Sequence, residues 1–293
     1  MRQIWHDISH AIANATGERH VPINTQPVGG GCINETHIVH MNNQRWFVKL
    51  NSPDKLDMFE AEIDGLTTLH RANAIRVPKP LTVGVSDTHS YLIMEAIAAG
   101  SSPKAMRHAG EQLAKLHQSL QPRFGHVRDN YIGATAQPNS LETDWITFWR
   151  EHRLAHQLQL AANNGIDAST RALGEELLDA LPAFLTHHPK ASLLHGDLWG
   201  GNMMTDQNGM PVIYDPAVYC GDRETDLAMT HLFGGFTADF YAAYESILPL
   251  AAGHEVRRTL YNLYHILNHF NLFGGGYGQQ AHSMMQRLLS EVH

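Results

Sequence analysis

Three polar side chains in one short stretch have the types and order that phosphoryl transfer requires. Leu194-His195-Gly196-Asp197-Leu198-Trp199-Gly200-Gly201-Asn202 sets an aspartate five residues ahead of an asparagine. Val212-Ile213-Tyr214-Asp215-Pro216 then returns a second aspartate at the end of a short apolar run. Transfer of a phosphoryl group to an alcohol needs a carboxylate to orient the hydroxyl and take its proton, which is the role expected of Asp197. It also needs oxygen ligands that hold Mg2+ against the nucleotide phosphates, the role expected of Asn202 and Asp215. His195 is expected to brace the loop by hydrogen bonds. Trp199 reads equally as a wall for the acceptor or as packing within a helical domain.

Such a site also needs elements that hold ATP. Trp46-Phe47-Val48-Lys49-Leu50 reads as a strand, and its lysine sits where a cation would neutralise the α- and β-phosphates. A helix carboxylate must hold that lysine. In the helix expected over 57–71, Phe59, Ile63, Leu66 and Leu69 define one face, and that phase favours Glu62 over the competing Glu60. Gly29, Gly30 and Gly31 lie between two expected strands, where the lack of Cβ atoms lets backbone N–H groups approach phosphate oxygens. Leu92-Ile93-Met94-Glu95-Ala96-Ile97 reads as a buried strand entering a linker, with Met94 behind an adenine pocket and the backbone of Glu95 to Ile97 beside the base. Cys32 follows the glycines directly, so its oxidation, or a disulfide to another subunit, would distort the phosphate loop.

The elements around these residues define an α+β chain of two domains. An amphipathic opening segment carries Ile4, Ile8, Ala11 and Ile12. Strands are expected over 25–28, 36–39, 46–50, 81–85 and 91–94, and the linker is Ile97-Ala98-Ala99-Gly100-Ser101-Ser102-Pro103. Helical periodicity then dominates, over 106–120, 144–161, 169–185, 237–247, 255–270 and 279–291. The expectation is a nucleotide-binding domain over 1–97 and a helical catalytic and acceptor-binding domain over 98–293, with the nucleotide in the cleft between the two lobes.

Composition narrows the function class. The 293 residues carry 21 Lys plus Arg against 29 Asp plus Glu, a formal net charge of −8 that disfavours nucleic-acid and anionic-membrane partners. No apolar run is long enough to span a bilayer, and the first residues lack the apolar core of a signal peptide, so a cytoplasmic protein is expected. Two cysteines do not make a disulfide framework. Among 21 histidines, the pairs His6/His10 and His265/His269 each place two imidazoles one helical turn apart. The spacing supplies neither pair with a third ligand, so both read as solvated or core-satisfied histidines.

Taken with Gly29-Gly30-Gly31 and Ile33-Asn34, Asp129-Asn130-Tyr131-Ile132-Gly133, Leu198-Trp199-Gly200-Gly201, Asp215-Pro216-Ala217-Val218-Tyr219, Gly221-Asp222-Arg223-Glu224, Asp226-Leu227-Ala228-Met229 and the stretch from Leu267 to Tyr277, the chain resembles the fructosamine-kinase (ketosamine 3-kinase) family. That resemblance implies a two-lobed protein-kinase-like fold, as in the aminoglycoside and choline phosphotransferases. It also implies ATP-dependent phosphorylation, with Mg2+, of the 3-hydroxyl of a ketosamine, either a small molecule or a glycated-lysine adduct, in a monomer or homodimer. The 3-phosphate eliminates to regenerate the free amine, a deglycation. Bacterial-type members favour ribulosamines or erythrulosamines over fructosamines. The competing readings are a phosphotransferase acting on an aminoglycoside, choline or another amino alcohol, and a nucleotide-binding pseudoenzyme. Between Asp215 and Asp226 there is no room for a protein kinase's activation segment.

Overall fold

A computed structural model describes residues 2–29 and 33–292. The chain forms two compact units: Met1–Ala105 with Met204–Pro216, and Met106–Met203 with Ala217–His293.

The first unit starts with α1 (Arg2–Thr16) and then builds a five-stranded sheet from β1 (Asn24–Val28), β2 (Glu35–Met41), β3 (Gln44–Asn51), β4 (Pro80–Val85) and β5 (Ser90–Glu95), in the order β1-β2-β3-β5-β4. Every neighbouring pair is antiparallel. In α1 the four-residue recurrence of Ile4, Ile8 and Ile12 turns one face onto Val39, Met41, Val48, Leu50 and Ile93 of the sheet. Asn42 and Asn43 close the β2–β3 hairpin with φ of 49° and 62°, a left-handed pair whose twist matches the flanking strands. Helix α2 (Leu56–Ala72) buries Phe59, Leu66 and Leu69 and stops at Asn73, which caps it in the left-handed region.

The sequence division at 97/98 assigned residues 98–293 to the second domain, whereas the first unit runs on to Ala105. The structure also returns 204–216 to the first unit. Gly100 N–H donates to the Thr205 carbonyl (2.8 Å), and Ile213 N–H donates to the Arg76 carbonyl (3.0 Å). The Arg76 guanidinium also pairs with Asp206 and with Glu95 (2.6 Å), tying the hairpin to the end of β5. A strand's apolar pattern says that one face is covered, but not which distant segment covers it.

The second unit is mainly helical: α3 (Ala105–His117), α4 (Trp145–Trp149), α5 (Ala155–Asn163), α6 (Ala168–Phe184), α7 (Glu224–Leu232), α8 (Ala238–Glu245), α9 (His254–Phe273) and α10 (Tyr277–Ser290). The small strand pairs β6 (Asn130–Ile132) with β7 (Thr135–Gln137) and β8 (Ser192–Leu194) with β11 (Tyr219–Gly221) carry the connecting loops; β9 (Met203–Thr205) and β10 (Pro211–Ile213) form the hairpin described above. The single helix expected over 144–161 is interrupted by a wide π turn at Arg150–Leu154. That extra residue shifts the helix phase and sends Arg153 inward, where its guanidinium donates to the Pro138 carbonyl (2.6 Å) and Asn139 Oδ1 (2.7 Å), 4.0 Å from the Tyr219 ring centroid. Helix α7 escaped the periodicity reading because Glu224 through Thr230 are all buried, leaving no polar stripe to alternate with.

Helix α9 is buried over much of its length, and its His265 imidazole is held neutral. Burial lowers its pKa to about 3, His269 and Arg153 adding to the shift against an opposing Asp226. A depressed histidine supports the fold fully above the unfolded value near 6.5 and loses that support as pH falls toward 3. Acidification should therefore cost about 1.4 kcal/mol per pH unit below about 6.5 from this group. Urea melts at stepped pH check this, and His265→Gln should flatten that part of the profile.

Candidate active site

In the first unit, sheet register and helix phase bring three charged groups together. Strand β3 places Lys49 opposite Thr36 on one side and Leu92 on the other. Its side chain is buried, and Nζ donates to Glu62 Oε1 at 2.7 Å and to Asp215 Oδ1 at 2.5 Å. It is Glu62 of α2 that reaches Lys49. Asp215 follows β10 and takes φ 56°, a left-handed conformation that aspartate tolerates better than bulkier residues. Burial on its own would lower the Lys49 ammonium; the charges of Asp215 and then Glu62 override it and hold the pKa above its ordinary value. Burial raises the Glu62 carboxyl, Lys49 opposes this, and Asp215 adds to it, leaving the group above the usual carboxylate range. Two carboxylates beside one ammonium leave a net negative charge that a cation relieves. Asp215 remains 47 % exposed through its side chain, so one carboxylate of this group meets solvent.

The remaining nucleotide candidates also lie in this unit. Met94 is buried in β5. The Glu95 N–H donates to the Lys79 carbonyl (2.8 Å) and Ala96 N–H to the Arg45 carbonyl (3.4 Å), while the Glu95 carboxylate pairs with Arg76. These two N–H groups thus bond within the first unit. A Cβ built on Gly29 meets nothing within 4 Å, so the protein itself does not demand glycine there. Gly30, Gly31 and Cys32 lie outside the described residues.

In the second unit the catalytic-type loop leaves β8. Asn202 Nδ2 donates to the Asp197 carbonyl (2.9 Å) and to Asp197 Oδ2 (3.2 Å), closing the loop on itself. The Asp197 N–H donates to Nδ1 of the fully buried His195 (3.2 Å). Gly196 takes φ 85°, and a Cβ there would collide with the Ala217 carbonyl, so only glycine fits. Trp199 is 37 % exposed; its ring covers Gly201 and meets Phe233 edge-on with centroids 5.9 Å apart. The ring is thus partly packed within the second unit and partly exposed.

Sequence reasoning gave Asp226 no role, yet it holds the loop. Its Oδ2 accepts from the His195 N–H (2.8 Å) and from His117 Nε2 (3.1 Å), and its Oδ1 accepts from the Gly196 N–H (2.8 Å). Burial would raise this carboxyl; His117, His195 and the backbone donors reverse that and hold it below the usual range. The clue available in sequence was an acidic residue inside an otherwise buried helix, which must be paired. Cys220 is inert by contrast, its thiol pushed up to about 11 by burial.

A small sheet-bearing unit with a buried Lys–Glu pair, followed by a helical unit bearing the His-Gly-Asp loop, defines the ATP-dependent phosphotransferases of protein-kinase-like fold that act on a hydroxyl group. The fructosamine kinase family model matches residues 4–291, and the chain belongs to that family. Over 287 residues it is 44 % identical to a Synechocystis protein called "Probable ketoamine kinase", covering 97 % of each chain. It is 42 % identical to the chloroplastic protein-ribulosamine 3-kinase of Arabidopsis thaliana, covering 89 % of this chain and 81 % of that one. A crystal structure from Haemophilus somnus, provisionally named a fructosamine-3-kinase, superposes with a TM-score of 0.89 at 31 % identity over 96 % of both chains.

The Asp226 carboxylate predicts its own test. Asp226→Ala removes the acceptor of two backbone donors and a buried imidazole, and should cost about 3 kcal/mol in urea denaturation. Asp226→Asn keeps the volume but only one carbonyl acceptor, and should fall between that variant and the unmodified chain.

Proposed function

We propose that the chain is an ATP-dependent ketosamine 3-kinase, acting on ribulosamine or erythrulosamine adducts, and on fructosamine as a third candidate, to reverse protein glycation. What carries this reading is a family match across nearly the whole chain, residues 4–291, together with an intact Lys49–Glu62–Asp215 group. Lys49, held by Glu62, neutralises the α- and β-phosphates of ATP. The Gly29-Gly30-Gly31 loop covers the phosphates with backbone donors, and Met94, Glu95 and Ile97 border the adenine.

Asp215 and Asn202 are the ligands for Mg2+. Their donors are oxygens, a carboxylate and an amide carbonyl, which suits a hard cation, and Asn202 has its amide nitrogen committed to Asp197. Held there, Mg2+ would supply positive charge against the transferring phosphate. Asp197 orients the 3-hydroxyl and accepts its proton as O3 attacks the γ-phosphorus; the bond from that phosphorus to the β–γ bridging oxygen breaks, and ADP leaves. Trp199 supplies an exposed apolar face for the sugar. The phosphorylated ketosamine then loses inorganic phosphate by β-elimination, and hydrolysis of the resulting imine frees the amine, on a small molecule or on a protein lysine, and leaves the sugar as a deoxydicarbonyl.

An acceptor panel of ribulosamine, erythrulosamine, fructosamine, choline and an aminoglycoside, with mass detection of the 3-phosphate, tests the substrate class; turnover confined to the last two would overturn it. Asp197→Ala should lower turnover by about 10²- to 10⁴-fold with ATP binding retained. Asp215→Ala should instead weaken MgATP binding, and a titration unchanged from the unmodified chain would remove Asp215 from the metal site.

A further inference from the structure

Apart from the phosphotransfer residues, the first unit gathers three exposed imidazoles at one point. His6 and His10 lie one turn apart on α1, with their Nε2 atoms 3.3 Å apart. The spacing along the helix supplies no third ligand, but the fold does. His20 comes back over the helix, stacks on His10 at 3.9 Å between centroids and 16° between planes, and sits 5.2 Å from His6. One ligand nitrogen from each of the three lies within 4.8 Å of the others.

This return is anchored on both sides of His20. The buried Ser9 hydroxyl donates to the Val21 carbonyl at 2.7 Å. Asn42, in the β2–β3 turn, donates to the Arg19 carbonyl at 3.2 Å and to the Glu18 carboxylate at 2.9 Å, and Gln44 donates to that same carboxylate at 3.0 Å. The backbone on either side of His20 is therefore positioned before any ligand arrives, which lowers the entropy cost of binding.

Three adjacent imidazoles repel one another when protonated. The neutral ring with its lone pair is the form that ligates a metal. Bonds of about 2.0–2.1 Å in a tetrahedral site set ligand nitrogens about 3.4 Å apart. The His6–His10 separation of 3.3 Å already has that value, and only the exposed His20 ring has to swing out of its stack.

We propose that His6, His10 and His20 form a binding site for a borderline divalent cation, Zn2+ foremost and Ni2+ or Cu2+ by the same chemistry, with water completing the coordination. Imidazole nitrogens discriminate against Mg2+ and Ca2+, so this site does not draw the ion used in phosphoryl transfer. A bound ion fastens the segment after α1 to the helix whose Ile4, Ile8 and Ile12 pack on the sheet, and so stabilises the folded chain.

Calorimetric titration of the full chain with Zn2+ in excess Mg2+ tests the site, with Tm read in parallel. A single tight equivalent and a rise in Tm are expected. His20→Ala should weaken that equivalent by about 100-fold. The combined His6→Ala, His10→Ala, His20→Ala variant should lose it together with the Tm rise, and His89→Ala, on the β4–β5 turn, should keep both. Phosphotransfer with MgATP should be unchanged in all of them, because none touches that machinery. Absence of a tight equivalent in the unmodified chain, or equal Zn2+ affinity in His20→Ala, would overturn the proposal. Should the combined variant fail to fold, electron paramagnetic resonance of Cu2+ bound to the unmodified chain decides: coupling to three nitrogens supports the site, and coupling to two or fewer refutes it.

Discussion

Everything chemical in the first unit depends on one buried ammonium. Lys49 lies in a strand covered on its other face by α1 and its isoleucines, so its charge has no water to turn to and must be met by protein. Glu62 and Asp215 meet it at hydrogen-bond distance. These partners come from a helix and from the end of a hairpin far along the chain, so a local substitution in either element would disturb the lysine. A buried ion pair of this kind contributes little net stability, since desolvation offsets most of the attraction. Its value lies in holding a cation at a fixed position with a partly exposed carboxylate beside it.

The second unit repeats this economy of charge with the opposite sign. There the buried charge is the Asp226 carboxylate, and its partners are two consecutive backbone N–H groups of the His195-Gly196 turn and the His117 ring. A left-handed Gly196, packed against the Ala217 carbonyl, lets the turn present both N–H groups to one carboxylate. Asp197 and the buried Asn202 then close on each other within that loop. Both units thus use a fully buried, hydrogen-bonded charge to fix the neighbours that carry chemistry. Membership of the fructosamine kinase family follows from the chain as a whole, while the geometry explains why these particular residue types are needed.

Legibility in sequence tracked distance along the chain. Asp197, Asn202 and Asp215 could be read because their spacing is short and each sits next to glycine, proline or an apolar run. Glu62 could be chosen over Glu60 because helix phase is a local property fixed by Ile63, Leu66 and Leu69. Most helices and the strands β2 and β3 were legible because each has a more exposed face and a buried one, and β5, buried but for its last residue, because a short apolar run ahead of a linker reads as a strand. Helix α7, the π turn around Arg153, the return of 204–216 and the hydrogen bonds that occupy Glu95 and Ala96 were not. In α7, burial on all sides erases the periodic signal; in the others, the deciding contact comes from a segment remote in sequence.

His6, His10 and His20 mark that boundary most sharply. The sequence fixes the first two on one helix face, since residues four apart must be neighbours there. It leaves His20 in a polar stretch with no periodicity, and only Ser9 and Asn42, holding the backbone on either side, bring its ring onto His10. By itself the sequence determined the residue types, the local elements and the family; the tertiary structure decided which charges meet, because hydrogen bonds and burial act through space between segments whose separation no local pattern records.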